Sequence, residues 1–391
     1  MTKVQNRYKI VYCTPALYMA GGVERVLTLK ANYMAETLGY DVTVILTEGK
    51  DKPLFYPLSP RVKVVNLGLD FEALWRLSFW QKIPVYLLKQ WRYRRRLSRE
   101  LCRLRPDITV SLLRREVNFI NSIGDGSVKI GELHVNRAHY RNFEGTNAGW
   151  LRQRFARWWM DRLVGHLRRL SRLVVLTPDD AIAWTELDNV AVIPNPLSMK
   201  PSEGSTLQQH RVVAVGRYCH EKGFDLLLRA WKEVQSECRD WRLDVFGDGD
   251  REPYERLMCE LGIDPLRCQL HGRTTDIEQE FLQSALSVCS SRFEGFGMAI
   301  AESLACGVPV VSFDCPWGPR NIITDGNDGL LVAEGDAGAL AQAIVSLTGN
   351  RQRLTAMGAN ARRNIGRFNI DAVASQWQEL FERVVQEHRQ Q

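Results

Sequence analysis

Along this chain, short apolar runs bounded by glycine, proline or asparagine alternate with longer stretches whose apolar residues recur every three or four positions. The run Lys9-Ile10-Val11-Tyr12-Cys13 reads as a buried strand and residues 42–46 as a second. Between them, Val23, Val26, Leu27, Leu29, Ala31, Met34, Ala35 and Leu38 sit at helical spacing, and Gly39 is placed to stop the helix. Strand, glycine turn, helix, strand is half of a nucleotide-fold unit. The series continues with strands expected at 62–65, 108–112, 129–133, 173–176 and 190–193. A second series follows, with strands at 211–215, 243–246, 269–272 and 285–289 and helices at 252–261, 298–306, 336–347 and 352–365. A last helix, 370–387, carries Val373, Trp377, Leu380, Phe381 and Val384 on one stripe. This alternation predicts an α/β chain built on parallel sheets.

The two series are separated by Pro194-Asn195-Pro196 and then by the polar stretch 200–209, which reads as a hinge. Pro196 holds Asn195 away from helical geometry and stiffens the junction. A length of 391 residues is long for one core and comfortable for two. The expected divisions are an N-terminal domain at 1–197, a second domain at 198–369 and a final helical segment at 370–391.

Composition narrows the class. Hydrophobic residues at 45% with charged residues at 25% suit a soluble globular protein. No apolar run approaches the ~18–20 residues that span a bilayer, and residues 1–8 show no secretory h-region. Nine cysteines lie scattered without a C-x-x-C spacing. That fits reduced thiols in a cytoplasmic protein better than a disulfide framework or a zinc site. The net charge of +7 is unevenly placed, with 22 Lys and Arg against 7 Asp and Glu in residues 75–175. The remainder is therefore net acidic, and the first half is expected to meet an anionic partner. No nucleic-acid module appears, so nucleic acid is not expected.

Two stretches carry that excess. In 80–104, Tyr86, Trp91, Tyr93 and Leu97 alternate with Lys89, Arg92, Arg94, Arg95, Arg96 and Arg99. In 150–170, Leu151, Phe155, Trp158, Trp159, Leu163 and Leu167 alternate with Arg152, Arg154, Arg157, Arg162, Arg168 and Arg169. Basic helices rich in aromatics suit an anionic membrane surface. The alternative is that the aromatics are core and the arginines a solvated face. The Arg94-Arg95-Arg96 cluster favours the membrane for the first stretch; for the second, with Trp158 and Trp159, both readings stay open. Location is expected to be cytoplasmic and peripheral on the inner face of the membrane.

The chemistry concentrates in Glu294-Gly295-Phe296-Gly297-Met298-Ala299-Ile300-Ala301-Glu302. It follows a strand and runs into a helix, so Glu294 sits on the turn and Glu302 inside the helix. Glycines before a helix N-terminus let unpaired amides approach an anion, and a phosphate fits there. Glu302 can accept from sugar hydroxyls and Glu294 can reach groups beyond the phosphate. The plain alternative is a solvated loop and an amphipathic helix. Elsewhere, His134 lies just past a strand end, where open sheets bind ligands. His139 is the second choice, and a buried structural histidine is the alternative for both.

Phe293-Glu294-Gly295-Phe296-Gly297 with Glu302, Ser303, Ala305, Gly307 and Pro309, followed by Gly318-Pro319-Arg320-Asn321-Ile322-Ile323 and the run 325–332, closely resembles the signature of retaining glycosyltransferase family 4. The resemblance is strong over residues 190–365 and weaker before them. It implies the GT-B fold: two Rossmann-like domains whose parallel sheets face a central cleft, with the final helix crossing back to the first. It places Arg217 and Lys222 on the donor diphosphate, a role that fits chemistry needing fixed positive charge where the leaving group gains negative charge. It implies a donor-binding set of Gly21, Gly22, Gly216, Arg217, Lys222, Gly247, Arg273, Glu294, Gly295, Phe296, Gly297, Met298 and Glu302. Its catalytic set is His134, Glu294, Arg217 and Lys222, with His134 near the donor sugar and Glu302 on the ribose. Asp248 and Asp250 resemble a metal motif of another glycosyltransferase fold, but they precede the 252–261 helix in a family-like turn and read as a cap. Asn321 departs from the pattern, where Glu is common.

The resemblance implies a metal-independent, retaining transferase with no cofactor beyond the nucleotide-sugar co-substrate. UDP-hexose or UDP-N-acetylhexosamine is the first choice of donor and GDP-mannose the second. The acceptor is expected to be an oligosaccharide or a lipid-linked glycan of bacterial lipopolysaccharide, capsule or oligosaccharide synthesis. The rivals are a GT-B sugar epimerase and a non-catalytic membrane scaffold.

Overall fold

A computed structural model of the chain describes residues 7–138, 140 and 150–390, with the side chains of Phe79, Leu151, Arg152, Gln153, Phe155 and Ala156 excepted. His139, and the side chains of Leu151, Arg152 and Phe155 from the second basic stretch, therefore lie outside the described residues.

The chain forms two compact units, one of residues 1–196 with 370–391 and one of Leu197–Asn369. The first contains β1 (Lys9–Thr14), α1 (Gly22–Glu36), β2 (Asp41–Leu46), β3 (Lys63–Asn66), α2 (Phe79–Leu104), β4 (Ile108–Ser111), β5 (Val128–Glu132), α3 (Trp150–Leu167), β6 (Arg172–Val175), α4 (Pro178–Ala183) and β7 (Val190–Val192). The second contains β8 (Arg211–Val215), α5 (Phe224–Glu237), β9 (Arg242–Phe246), α6 (Glu252–Leu261), β10 (Cys268–His271), α7 (Ile277–Leu282), β11 (Leu286–Cys289), α8 (Met298–Ala305), β12 (Val310–Phe313), α9 (Pro319–Ile322), β13 (Gly329–Val332), α10 (Ala337–Thr348) and α11 (Arg351–Asn364). The last helix, α12 (Ile370–Gln390), belongs to the first unit.

The first sheet has seven strands in the order β3-β2-β1-β4-β5-β6-β7, and every pairing is parallel. Ile10 pairs with Val42 on one side of β1 and with Ile108 on the other. A parallel sheet must be covered on both faces, and successive β1 side chains meet that need in turn. Ile10 and Tyr12 enter a core with Leu27 and Met34 of α1 and Trp377 and Phe381 of α12. Val11 and Cys13 enter the opposite core with Tyr93, Leu97 and Leu101 of α2 and Leu163 and Leu167 of α3.

The second sheet is β10-β9-β8-β11-β12-β13, again parallel throughout. Its core gathers Val212 and Ala214 of β8, Leu228 and Trp231 of α5, and Ile344 of α10.

Three sequence expectations change. The stretch 200–209 is no hinge: Ser205 N donates to Cys306 O at 2.7 Å, its Oγ to Ser284 O at 2.7 Å, and Leu207 is buried in the second core. The chain passes between units at Pro196/Leu197 and Asn369/Ile370 instead. Tyr93 and Leu97 are core rather than surface residues. Arg96 is a structural tie and not a free surface cation, because its guanidinium donates to the Leu67 carbonyl and, at 3.2 Å, to that of Gly68. Arg94 and Arg95 are exposed, as is Trp158, whose ring lies 5.7 Å from the Arg162 guanidinium; Trp159 is half-buried.

Candidate functional site

In the second sheet, β9 and β10 lie to one side of β8, and β11, β12 and β13 to the other. Open sheets bind ligands beyond the carboxyl ends of the strands where the order reverses. Two turns leave the sheet at that place. After β8, the chain runs through Gly216 and Arg217 to a tight turn at His220–Lys222 and then to Gly223, which enters α5 at φ 60°. After β11, it runs from Ser290 to Gly297, which enters α8 at φ 103°. Positive φ favours glycine at both helix starts.

The two turns are tied together. Lys222 Nζ donates to Glu294 Oε1 at 2.6 Å, and Ser291 Oγ donates to the same oxygen at 2.7 Å. Burial pulls the Lys222 ammonium down, but the Glu294 carboxylate and neighbouring Cys289 outweigh it, and the Lys222 pKa ends above its ordinary 10.5. The same burial, with Glu294 beside it, pushes the Cys289 thiol up. Arg292 clamps the pair from behind. It holds Asp225 of α5 through two bonds of 2.8 and 2.7 Å and donates to His220 O at 2.7 Å. Ser290 Oγ adds a bond to Lys222 O at 2.9 Å.

Glycines set the close approaches. A Cβ on Gly318 would lie 2.5 Å from Glu294 Cβ, and one on Gly247 would lie 1.8 Å from Gly216 O. Gly216 leaves room for the Lys222 stem, whose Cγ and Cδ would be 3.1 Å from an added Cβ. Gly295 and Met298 flank Gly297 on the turn into α8, and no side chain caps that helix among the described residues. Phe296 points inward, 4% exposed and edge-on to Phe368 at 5.3 Å, so only its backbone can serve a ligand. Glu302 is buried in α8 and accepts from Ser198 Oγ. Arg217 and Arg273 are exposed. Asp250 accepts from Glu252 N at 3.1 Å and Asp248 from Gly249 N at 2.9 Å, so both serve the turn before α6, but neither stands at the helix N-cap, which is Arg251 with no side-chain cap bond.

The first sheet reverses between β1 and β4. Gly21 and Gly22 follow β1 and open α1, whose N-terminus also has no side-chain cap among the described residues. A Cβ on Gly22 would meet nothing within 4 Å, so packing does not demand glycine there. Beside it, Val23, Leu112, Leu113, Arg114, Leu133 and His134 line a small cleft, and Leu113 holds φ 54°, a strained value for a leucine. His134 lies beside Glu132, with Nε2 3.2 Å from Oε1. Glu132 also takes the buried Lys30 ammonium of α1, which lies 4.5 Å from the Trp377 ring of α12. Burial pushes the Glu132 carboxyl up, yet Lys30 and His134 outweigh that and hold it at about 2.

The structure thus brings Lys222 and Glu294 together in the second unit, and in the first unit places His134 beside Glu132. Sequence reasoning missed Arg292, Asp225 and Ser291, although the polar run Ser290-Ser291-Arg292 directly before Phe293 was a signal for them. It also gave no role to Lys30 or Glu132.

Two parallel-sheet, Rossmann-like units with glycine-rich turns at their switch points define the GT-B fold. Comparison with known proteins agrees: residues 209–350 match the family model described as Glycosyl transferases group 1. An uncharacterized glycosyltransferase of Haemophilus influenzae is 24% identical over 92% of this chain and 95% of its own. The lipopolysaccharide core biosynthesis glycosyltransferase LpsD of Rhizobium meliloti is 32% identical over 57% of this chain and 66% of its own. Against several other curated relatives the chain spans only 21% to 52% of their length. S. aureus TarM, crystallised with UDP and alpha-GlcNAc-glycerol, shares the fold with a TM-score of 0.74 and 15% identity, covering 96% of this chain and 99% of its own.

Proposed function

We propose that this protein is a retaining glycosyltransferase of family 4 that moves a hexose or N-acetylhexosamine from a UDP-sugar to a glycan acceptor. The acceptor is the growing end of a bacterial lipopolysaccharide, capsule or lipid-linked oligosaccharide, met at the inner face of the cytoplasmic membrane. The observation that carries this reading is the 2.6 Å pairing of Lys222 with Glu294 at the switch point of the second sheet, beside an uncapped helix start. An ammonium held above its ordinary pKa stays charged throughout the working range, and a developing diphosphate anion needs such a charge. Arg217, exposed on the same turn, adds a second cation.

In this reading the diphosphate lies against the Gly295–Met298 amides, with Lys222 and Arg217 on its oxygens. Glu302 holds the ribose and Glu294 orients the sugar. The bond between the anomeric carbon and the phosphate oxygen breaks, and its electron pair leaves with UDP. The acceptor hydroxyl attacks the same face, its proton passes to the departing phosphate oxygen, and the anomeric configuration is kept. Positive side chains and helix amides do the work of a metal, so transfer persists in excess EDTA. UDP in the TarM crystal and the lipopolysaccharide role named for LpsD support the donor and acceptor classes.

The test is turnover of UDP-sugars with a lipid-linked or oligosaccharide acceptor, with the product anomer read by NMR. Lys222→Ala should lower kcat by about 10²–10³, in line with losing one anion-stabilising donor. An inverted product overturns retention, loss of transfer on chelation overturns metal independence, and near-normal turnover by Lys222→Ala overturns the site. Epimerised donor without acceptor would instead reveal the epimerase.

A further inference from the structure

Helix α2 carries two apolar stripes, one buried and one exposed. Tyr93, Leu97 and Leu101 are buried in the first unit. Adjoining that stripe around the helix, Trp80, Ile83, Leu87, Leu88 and Trp91 repeat every three or four residues or stand side by side, and each is between 45% and 80% exposed. Trp75, in the turn just before the helix, is 78% exposed. Single exposed apolar residues are ordinary, but a continuous helical stripe of them marks an interaction surface.

Beyond Trp91 the same side of the helix becomes basic, with exposed Arg94, Arg95 and Arg99. The helix holds eight Lys and Arg and one acidic residue, Glu100. Three of its cations are occupied internally: Lys89 and Arg96 donate to carbonyls of residues 67–70, and Arg103 to Glu100. Those facing outward accompany the aromatics. The Arg95 guanidinium lies 5.3 Å from the Trp91 ring and the Lys82 ammonium 6.0 Å from that of Trp75.

We propose that this face of α2 docks the first unit on an anionic lipid surface, the helix lying in the plane of the interface. The stripe from Trp80 to Trp91 is about 16 Å long at 1.5 Å per residue, with branched aliphatics between tryptophans. Such a helix buries its aliphatics at the acyl boundary, its indoles at headgroup level and its arginines among lipid phosphates. Charge decides against a second copy of this chain, since an identical face, with Glu100 the one acidic residue of the helix, offers these arginines no anionic partner in a dehydrated contact. The inference rests on the proposed reaction only in supposing a membrane-borne acceptor; the surface itself is argued from α2 alone. It also moves the contact from the Arg94-Arg95-Arg96 cluster to the apolar stripe, with Arg94 and Arg95 as its basic margin.

The experiment is flotation of the whole protein with phosphatidylglycerol/phosphatidylcholine vesicles and with phosphatidylcholine vesicles, at low and moderate salt. Wild type is compared with the double variant Leu87→Glu, Leu88→Glu and with Arg94→Gln, Arg95→Gln. All these positions are solvent-exposed, and circular dichroism with UDP calorimetry verifies folding of each variant. Wild type should float with the anionic vesicles and tenfold less with the zwitterionic ones. The leucine variant should lose at least tenfold in partition, and the arginine variant should lose binding as salt rises. Equal flotation of wild type and the leucine variant, or none by wild type, overturns the proposal. So does a sedimenting dimer that the leucine variant abolishes, which would assign the face to a second copy. Flotation without sugar transfer would sink the proposed reaction and leave the docking surface standing; transfer without flotation does the reverse.

Discussion

At the scale of residues, the buried set Lys30, Glu132 and His134 raises a question that Lys222 and Glu294 do not. It binds α1, whose start carries Gly21 and Gly22, to the turn that presents His134. Burial disfavours both charges: Lys30 and His134 outweigh it for Glu132, whereas for Lys30 burial still wins and holds the ammonium below its ordinary 10.5; removing one partner leaves the other buried and unpaired. Glu132→Gln or Lys30→Met alone should therefore destabilise the first unit by about 3–5 kcal/mol, and the double variant by less than the sum. The sign with pH follows from the depressed carboxyl. Its contribution is complete above the ordinary 4.5 and is lost as pH falls toward about 2. The penalty of Glu132→Gln should shrink over that window, because wild type loses the pair as well. Urea unfolding of the four proteins at neutral and acid pH checks both points; equal single and double losses of zero would remove the pair from the stability account. Sequence could reveal Glu294 and Lys222, since local glycines frame them. It could not reveal Lys30 with Glu132, which are 102 residues apart and meet only because β5 and α1 share a sheet face.

At the scale of elements, what the sequence made legible was periodicity. Buried parallel strands are short apolar runs, and β1, β2, β8 and β9 fell where such runs stand. β12 and β13 were harder, because Val310–Phe313 and Gly329–Val332 sit inside the motif read for its chemistry. The stretch 200–209 misled for the opposite reason: a polar composition reads as a linker, while the hydrogen bonds of Ser205 and the burial of Leu207 fasten it to the second unit. Helix α2 was legible as a helix but not as a two-faced one, since which stripe meets the core depends on the sheet beneath it. The loop before α9 offers the sharpest test of how elements place the site. Gly318 has φ −110°, which any residue adopts, so a substitution there acts through space rather than backbone strain. Gly318→Ala puts its methyl 2.5 Å from Glu294 Cβ and must displace the carboxylate from Lys222. Turnover should fall at least tenfold while the melting temperature moves by only a few degrees, the shift expected for about 1 kcal/mol. Normal turnover in a folded Gly318→Ala protein would mean that Glu294 need not hold this position.

At the scale of the whole molecule, charge is divided between the units. Residues 197–369 carry 19 Lys and Arg against 23 Asp and Glu, so the unit proposed to bind a diphosphate is itself net negative. The rest of the chain holds the positive excess that gives the protein its overall +7. The second unit's own net charge therefore does not attract a nucleotide; its affinity must come from groups within hydrogen-bonding reach, such as Lys222, Arg217 and the amides opening α8. Contacts at such distances are screened far less than exposed charges separated by a Debye length of ~8–10 Å. The first unit is in the other regime, with exposed arginines facing a diffuse anionic surface. The two ligands should consequently respond differently to the same salt titration. Raising ionic strength from low to physiological should change UDP affinity by less than about threefold and vesicle partition by tenfold or more, because several cations act together on the lipid. Calorimetry with UDP and vesicle flotation on one preparation measure both. A parallel collapse of the two would mean that the nucleotide is also held by long-range field, and the local cradle of Lys222, Glu294 and α8 would lose its claim to the diphosphate.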